Sequence, residues 1–158
     1  MKMSGGVEWA IHCCVLLSQA DGPVPAPRLA EFHGISRTYL AKHLQHLSRD
    51  GLVSSTEGRV GGYVLTRPAE QITVLDVVLA IEGREPAFRC TEIRQNGPLP
   101  ASPAACKRAC GVARAMHAAE QAWRESLTGV TIADLAAGVL VDAGPDTFVR
   151  LREWLSAS

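Results

Sequence analysis

The order of elements between Pro27 and Thr66 constrains the fold more than any other feature of this 158-residue chain. Pro27 suits the first turn of a helix, where its missing N–H costs nothing, and that helix runs to about His33. Gly34 is a natural residue to follow a helix end. Ser36 then caps a second helix over 37–49, in which Leu40, Leu44 and Leu47 recur at helical spacing. Asp50-Gly51 stops it. Residues 52–55 and 63–66 read as two strands around a Gly-rich segment that carries Arg59. With a helix over 6–20 in front, this order predicts a winged helix-turn-helix: a mainly α fold with a small β-hairpin wing.

The first helix divides its wheel between Ala10, Cys14 and Leu17, with Cys13 beside them, and Glu8, His12 and Gln19 opposite. Thr73 caps a fourth helix that reaches Glu82, which closes a DNA-binding unit of residues 1–82. Residues 83–106 form a Pro- and Gly-containing loop, long enough to suggest a functional role. A long helix follows at 107–128, whose stripe of Ala109, Val112, Ala113, Met116, Ala119, Trp123 and Leu127 suits close approach by another helix. In so short a chain that partner is expected to be a second copy, making this a dimerisation helix and the protein a homodimer. Residues 129–158 read as a helical extension, with Thr131 capping one helix and a last one at 145–156.

Formal charge sums to zero, which excludes a protein that coats nucleic acid by bulk charge. It does not exclude a local patch. From Arg28 to Arg67 there are six basic and three acidic residues, a segment charge of 6 − 3 = +3. The expected DNA-contacting set is Arg28, Arg37, Thr38, Tyr39, Lys42, Arg59 and Gly61. A recognition helix presents its N-terminal residues to base edges, cations meet phosphates, and Arg59 at the hairpin tip is placed for the minor groove. The partner is then a double-stranded operator. The most apolar run, Val7 to Leu17, is too short to cross a bilayer and is interrupted by Glu8 and His12, so no membrane role and a cytoplasmic location are expected.

The five cysteines are odd in number and are not spread as a disulfide framework. Adjacent Cys13 and Cys14 read as packing residues, whereas Cys90, Cys106 and Cys110 flank the long loop and suit iron–sulfur or zinc ligation. Glu8 and His12, four residues apart on the polar side of the first helix, can reach one metal centre or simply pair on the surface. His43, His46 and His117 read as surface histidines, and Trp9, Trp123 and Trp154 as core or interface residues. Alternatives on the same residues are a metal-free thiol–disulfide switch and a zinc-stabilised interaction module without DNA binding. An enzyme is not expected, because no nucleophile–base–orienter set suggests itself.

Gly34-Ile35-Ser36, Tyr39-Leu40, Gly51-Leu52-Val53-Ser54-Ser55, Gly58-Arg59 and Gly61-Gly62-Tyr63-Val64-Leu65 together resemble the winged-helix regulators of the IscR and NsrR type. The likeness covers roughly residues 5–135 and is closest to the redox-sensing members. It implies a homodimeric bacterial transcription regulator, a repressor by expectation, with a 2Fe–2S cluster bridged across the dimer. Glu8 and His12 of one chain would form one half of the site. Cys90 and Cys110 of the other would form the second half, which leaves Cys106 spare. The C-x15-C-x3-C spacing departs from the three more closely spaced cysteines usual in that family.

Overall fold

The computed structural model describes residues 3–56 and 61–157. In chain order the helices are α1 (Gly5–Gln19), α2 (Ala26–His33) and α3 (Arg37–Arg49), followed by β1 (Val53–Thr56), β2 (Gly62–Leu65) and α4 (Val74–Glu82). Then come α5 (Pro103–Cys106), α6 (Gly111–Thr128), α7 (Ile132–Ala143) and α8 (Thr147–Ser156). The chain divides into two compact units: residues up to Arg84 together with Leu127 onward, and the segment Glu85–Ser126.

The larger unit is a helical domain with a wing. Its turn between α2 and α3 is made by Gly34 at φ 65°, ψ 30°, a left-handed conformation in which a Cβ is strained. The Ile35 amide reaches back 3.0 Å to the Ala30 carbonyl, which closes the helix end. Ser36 Oγ accepts from the Tyr39 amide at 3.2 Å and opens α3. Leu40, Leu44 and Leu47 are wholly buried, each contributing about 2 kcal/mol by removal from water. Strands β1 and β2 pair antiparallel with Val53 opposite Leu65 and Thr56 opposite Gly62. Val24 joins the hairpin through a bridge to Tyr63. This approach is possible because residue 62 is glycine: a Cβ there would lie 2.5 Å from the Val24 carbonyl carbon.

Helix α1 packs against α3, α4, β2 and α7. It is therefore buried on more than the one face the wheel anticipates: Val7, Val15 and Leu16 are covered along with Ala10, Cys13, Cys14 and Leu17. Both Cys13 and Cys14 are free thiols inside the core. Burial pushes the Cys13 thiol up to about 12 and raises Cys14 as well, so both stay protonated and inert. Glu8 and His12 remain exposed.

The residues after 128 are part of this same unit. Thr73 and Asp76 form a capping box on α4, and Thr131 and Asp134 repeat it on α7. The two caps are stitched together, Val74 N–H to Val130 O at 2.8 Å and Ile132 N–H to Ile72 O at 2.9 Å. Helix α8 adds Phe148 and Leu151 to the common core.

The unit Glu85–Ser126 is built differently. Two short helical segments, Ile93–Gln95 and α5, interrupt its loop. The long helix begins at Gly111 and not at residue 107. In a continuous helix the carbonyls of Ala105 and Arg108 would accept from the amides of residues 109 and 112. Here both accept from the Arg94 guanidinium instead, at 3.3 and 2.9 Å. Among its described residues Ala113 alone is fully buried, and Val112 and Met116 of the expected stripe are 65% and 43% exposed.

Candidate nucleic-acid interface and metal half-sites

Burial of Leu40, Leu44 and Leu47 on one side of α3 leaves Arg37, Thr38, Tyr39 and Lys42 exposed on its first turns. Tyr39 is held there by its own neighbour: its ring meets the His43 ring edge-on, with centroids 4.6 Å apart. His43 corrects the surface assignment, since it is only 7% exposed. Gly6 of α1 lets it in, because a Cβ at that position would stand 2.3 Å from the imidazole Cε1. Both ring nitrogens are buried without a partner. Burial first, and then the nearby His46 and Lys42 charges, hold His43 below its ordinary pKa, so it is neutral.

Arg28, on α2, is engaged by neighbours within the fold. Its guanidinium lies 3.6 Å from the centre of the Trp154 ring on α8 and donates to the Trp154 carbonyl. It also pairs with Glu31 at 3.0 Å. These contacts occupy its charge within the fold and join α2 to α8. Gly61 is half-buried beside the start of β2, and Arg59 lies outside the described residues.

Glu8 and His12 lie on the exposed side of α1. His12 and His33 help line a cavity of about 1050 Å³ formed by α1, α2, α7 and α8. Their rings are 6.2 Å apart, and burial together with His12 lowers the pKa of His33. The second pair of expected ligands lies in the other unit. Cys90 is exposed in the loop, and Cys110 immediately precedes α6. The Cys110 sulfur accepts from the Ala113 amide at 3.3 Å. That hydrogen bond, a second from Val112 and the Arg94 charge lower the thiol's pKa. The donor chemistry therefore fits metal ligation, for which a thiolate is required. Cys106 ends α5 and does not share a helix with Cys110. Among the described residues no three His, Cys, Asp or Glu side chains of one chain gather closely enough to hold a metal.

Sequence reasoning did not single out His43 or Arg94. His43 stands three residues after Leu40 and four before Leu47, and that spacing is the sequence signal for its burial. Arg94 has none in periodicity, since its acceptors are backbone carbonyls 11 and 14 residues further on.

Residues 3–138 match the family model "Rrf2: Iron-dependent Transcriptional regulator". Protein aau3 of Rhizobium meliloti (strain 1021) is 40% identical over 110 residues, covering 69% of this chain and 67% of that protein. The regulator IscR of Photorhabdus laumondii is 41% identical over 92 residues, which are 57% of this chain and 56% of IscR, little more than half its length. Among solved structures, CymR, the global cysteine regulator of B. subtilis, superposes with a TM-score of 0.65 at 25% identity, covering 87% of this chain and 97% of that one. Among the described residues no helix is long and apolar enough to cross a membrane.

Proposed function

Because this chain belongs to the Rrf2 family of transcriptional regulators, we propose that it is a redox-sensing repressor in which two copies share a 2Fe–2S cluster and read an operator through paired winged helices. Its homologues are DNA-binding regulators and not enzymes. That membership sets aside the interaction module without DNA binding. The observation that carries the cluster reading is the setting of Cys110. Amide donors in the first turn of α6 and a neighbouring guanidinium favour its thiolate, in a segment with no core of its own.

Glu8 and His12 of one copy and Cys90 and Cys110 of the other would hold the cluster. Bound there, it supplies one-electron chemistry at a potential raised by nitrogen and oxygen ligands relative to an all-thiolate site. The chain's own residues do the rest. Helix α1 carries Glu8 and His12 and packs directly on α3 through Gly6 and His43. A change in the pull on α1 therefore reaches the helix that presents Arg37, Thr38, Tyr39 and Lys42. Two recognition helices must match half-site spacing, so a small displacement alters operator affinity. Gly61 and Arg59 of the wing complete the proposed contact. Arg28 is left out of it because Trp154 and Glu31 already engage its charge.

A symmetric dimer has two such sites, so protein purified without oxygen is expected to be red-brown, with roughly two iron and two sulfide per chain. His12→Ala is expected to change the visible spectrum and the redox dependence of operator binding, whereas Cys106→Ala retains the cluster. A His12→Ala variant with unaltered spectrum and binding removes His12 from the ligand set. The lowered Cys110 pKa also suits a thiol switch through Cys90, Cys106 and Cys110. Iron-free protein whose operator affinity follows reversible thiol oxidation selects that reading.

A further inference from the structure

We propose that Arg94 is a positioning residue that keeps the cysteine-bearing stretch 105–112 from closing into one continuous helix and so fixes where Cys110 stands. The assignment of Cys110 as a ligand rests on the cluster reading above; the device itself does not.

Sequence and structure disagree in one place that matters here. The stretch after Pro103 is rich in helix formers, and its apolar spacing predicts a helix running without a break from residue 107. The chain instead ends α5 at Cys106 and restarts at Gly111. Of the carbonyls whose intrahelical bonds would bridge that gap, those of Ala105 and Arg108 are held by Arg94, through Nη1 and Nη2, and that of Ala109 by Arg114. Arg94 is itself anchored by a forked pair with Glu92, Nε to Oε1 at 2.5 Å and Nη2 to Oε2 at 2.6 Å. The guanidinium has therefore one carboxylate behind it and two peptide carbonyls in front. Its side chain is 25% exposed and that of Glu92 30%.

The backbone confirms that this arrangement is imposed on the loop. Glu92 has φ 52°, the single positive φ at a non-glycine among the described residues. Such a conformation persists only where surrounding contacts over-determine it. No apolar cluster in this unit does so, since Ala113 alone is fully buried. The forked ion pair supplies what packing does not. The planar guanidinium serves four acceptor oxygens from three nitrogens; a lysine ammonium has three donors on one nitrogen and lacks that spread and the fork that fits a carboxylate.

The consequence is geometric. With the helix broken, Cys110 occupies the position before the first turn of α6, where its sulfur accepts from the Ala113 amide at 3.3 Å. With the helix continuous, Cys106 and Cys110 would lie at i and i+4 inside one helix. The amide of residue 113 would then no longer be available to sulfur. Arg94 is also within electrostatic reach of the Cys106 and Cys110 thiols, so it adds a positive charge beside Cys110, the proposed ligand it positions.

The test compares wild type, Arg94→Ala, Arg94→Lys and Glu92→Gln, first as metal-free full-length protein. Amide hydrogen exchange is read at residues 109 and 112, and helix content by circular dichroism. Arg94→Ala is expected to slow exchange at those two amides at least tenfold and to add about one turn of helix, with Glu92→Gln intermediate and Arg94→Lys like Arg94→Ala. Exchange and helix content unchanged in Arg94→Ala would overturn the proposal. After reconstitution with iron and sulfide, Arg94→Ala and Arg94→Lys are expected to lose cluster several-fold faster than wild type and to shift its visible bands. Identical cluster spectra and retention in the two variants would remove any role toward the ligands. Wild-type protein that takes up no iron would sink the cluster reading, whereas the exchange result judges Arg94 in either case.

Discussion

The two units of this chain are stabilised by different physics. In the larger one, Leu29, Leu40, Leu44, Leu47, Ile72 and Ile132 are all wholly buried, and polar groups mostly finish the helix ends. In Glu85–Ser126 the order is reversed. Arg94 binds two carbonyls and Glu92, the Ala87 amide donates to Glu120, Arg124 pairs with Glu120, and apolar burial is nearly absent. A segment that holds its shape by solvent-accessible polar contacts sits at the low end of local stability. The cysteines proposed as ligands lie in that segment, where a bound group would add the constraint that packing leaves out. The inert cysteines, Cys13 and Cys14, lie in the packed unit.

Paired truncations sharpen this contrast most. Leu44→Ala is expected to lower the unfolding free energy by about 3 kcal/mol, because it deletes a fully buried side chain from a close-packed core. Leu99→Ala removes the same atoms from a side chain that is 93% exposed in the other unit, and should stay within about 0.5 kcal/mol of wild type. Urea titrations of both variants measure the difference. Comparable losses would mean that Leu99 is covered in the protein's working state, which a second copy would do.

The same division decides what the sequence discloses. Ser36, Thr73 and Thr131 announce three helix starts, because a cap acts locally and its partner lies three residues on. Leu40, Leu44 and Leu47 declare the buried side of α3 by spacing alone. The start of α6 is misread because carbonyls that would continue it backwards accept from arginine side chains, two of them from Arg94, which is remote in sequence. His43 shares the spacing of those leucines and is misread by residue type, since room for an imidazole there depends on a missing Cβ in another helix. The proposed ligands were legible as residue types, and Glu8 and His12 as a spacing. Their pairing with cysteines is suggested by family likeness alone, because Glu8 and His12 lie in one unit and Cys90 and Cys110 in the other.

Gly62→Ala probes the packed unit where it has no slack. The new Cβ would meet Val24 backbone atoms at 2.5 and 2.6 Å, and backbone yields less readily than a side-chain tip. A loss of about 2 kcal/mol is expected, in the range for overpacking. The wing should be displaced with it, so operator binding weakens under conditions where the variant is still folded. A variant with wild-type stability would show that the Val24–Tyr63 bridge is not held in solution.

The smallest expected effect concerns pH and the buried imidazole of the packed unit. Burial keeps the folded-state pKa of His43 below the ordinary 6.5. As pH falls through that value the unfolded chain binds a proton before the folded one does, and stability declines until the folded-state pKa is also passed. Above about 6.5 the neutral ring is favoured in both states and its contribution is constant. Urea midpoints should therefore fall between pH 7.5 and 5.5. His33 is shifted in the same direction, so part of the slope will remain when His43 is replaced. His43→Gln should flatten it whatever its effect on absolute stability. An equally steep slope in that variant would mean that water or a rearranged Tyr39 relieves the buried ring when it is charged, and that contact between α1 and α3 is looser than the close approach at Gly6 implies.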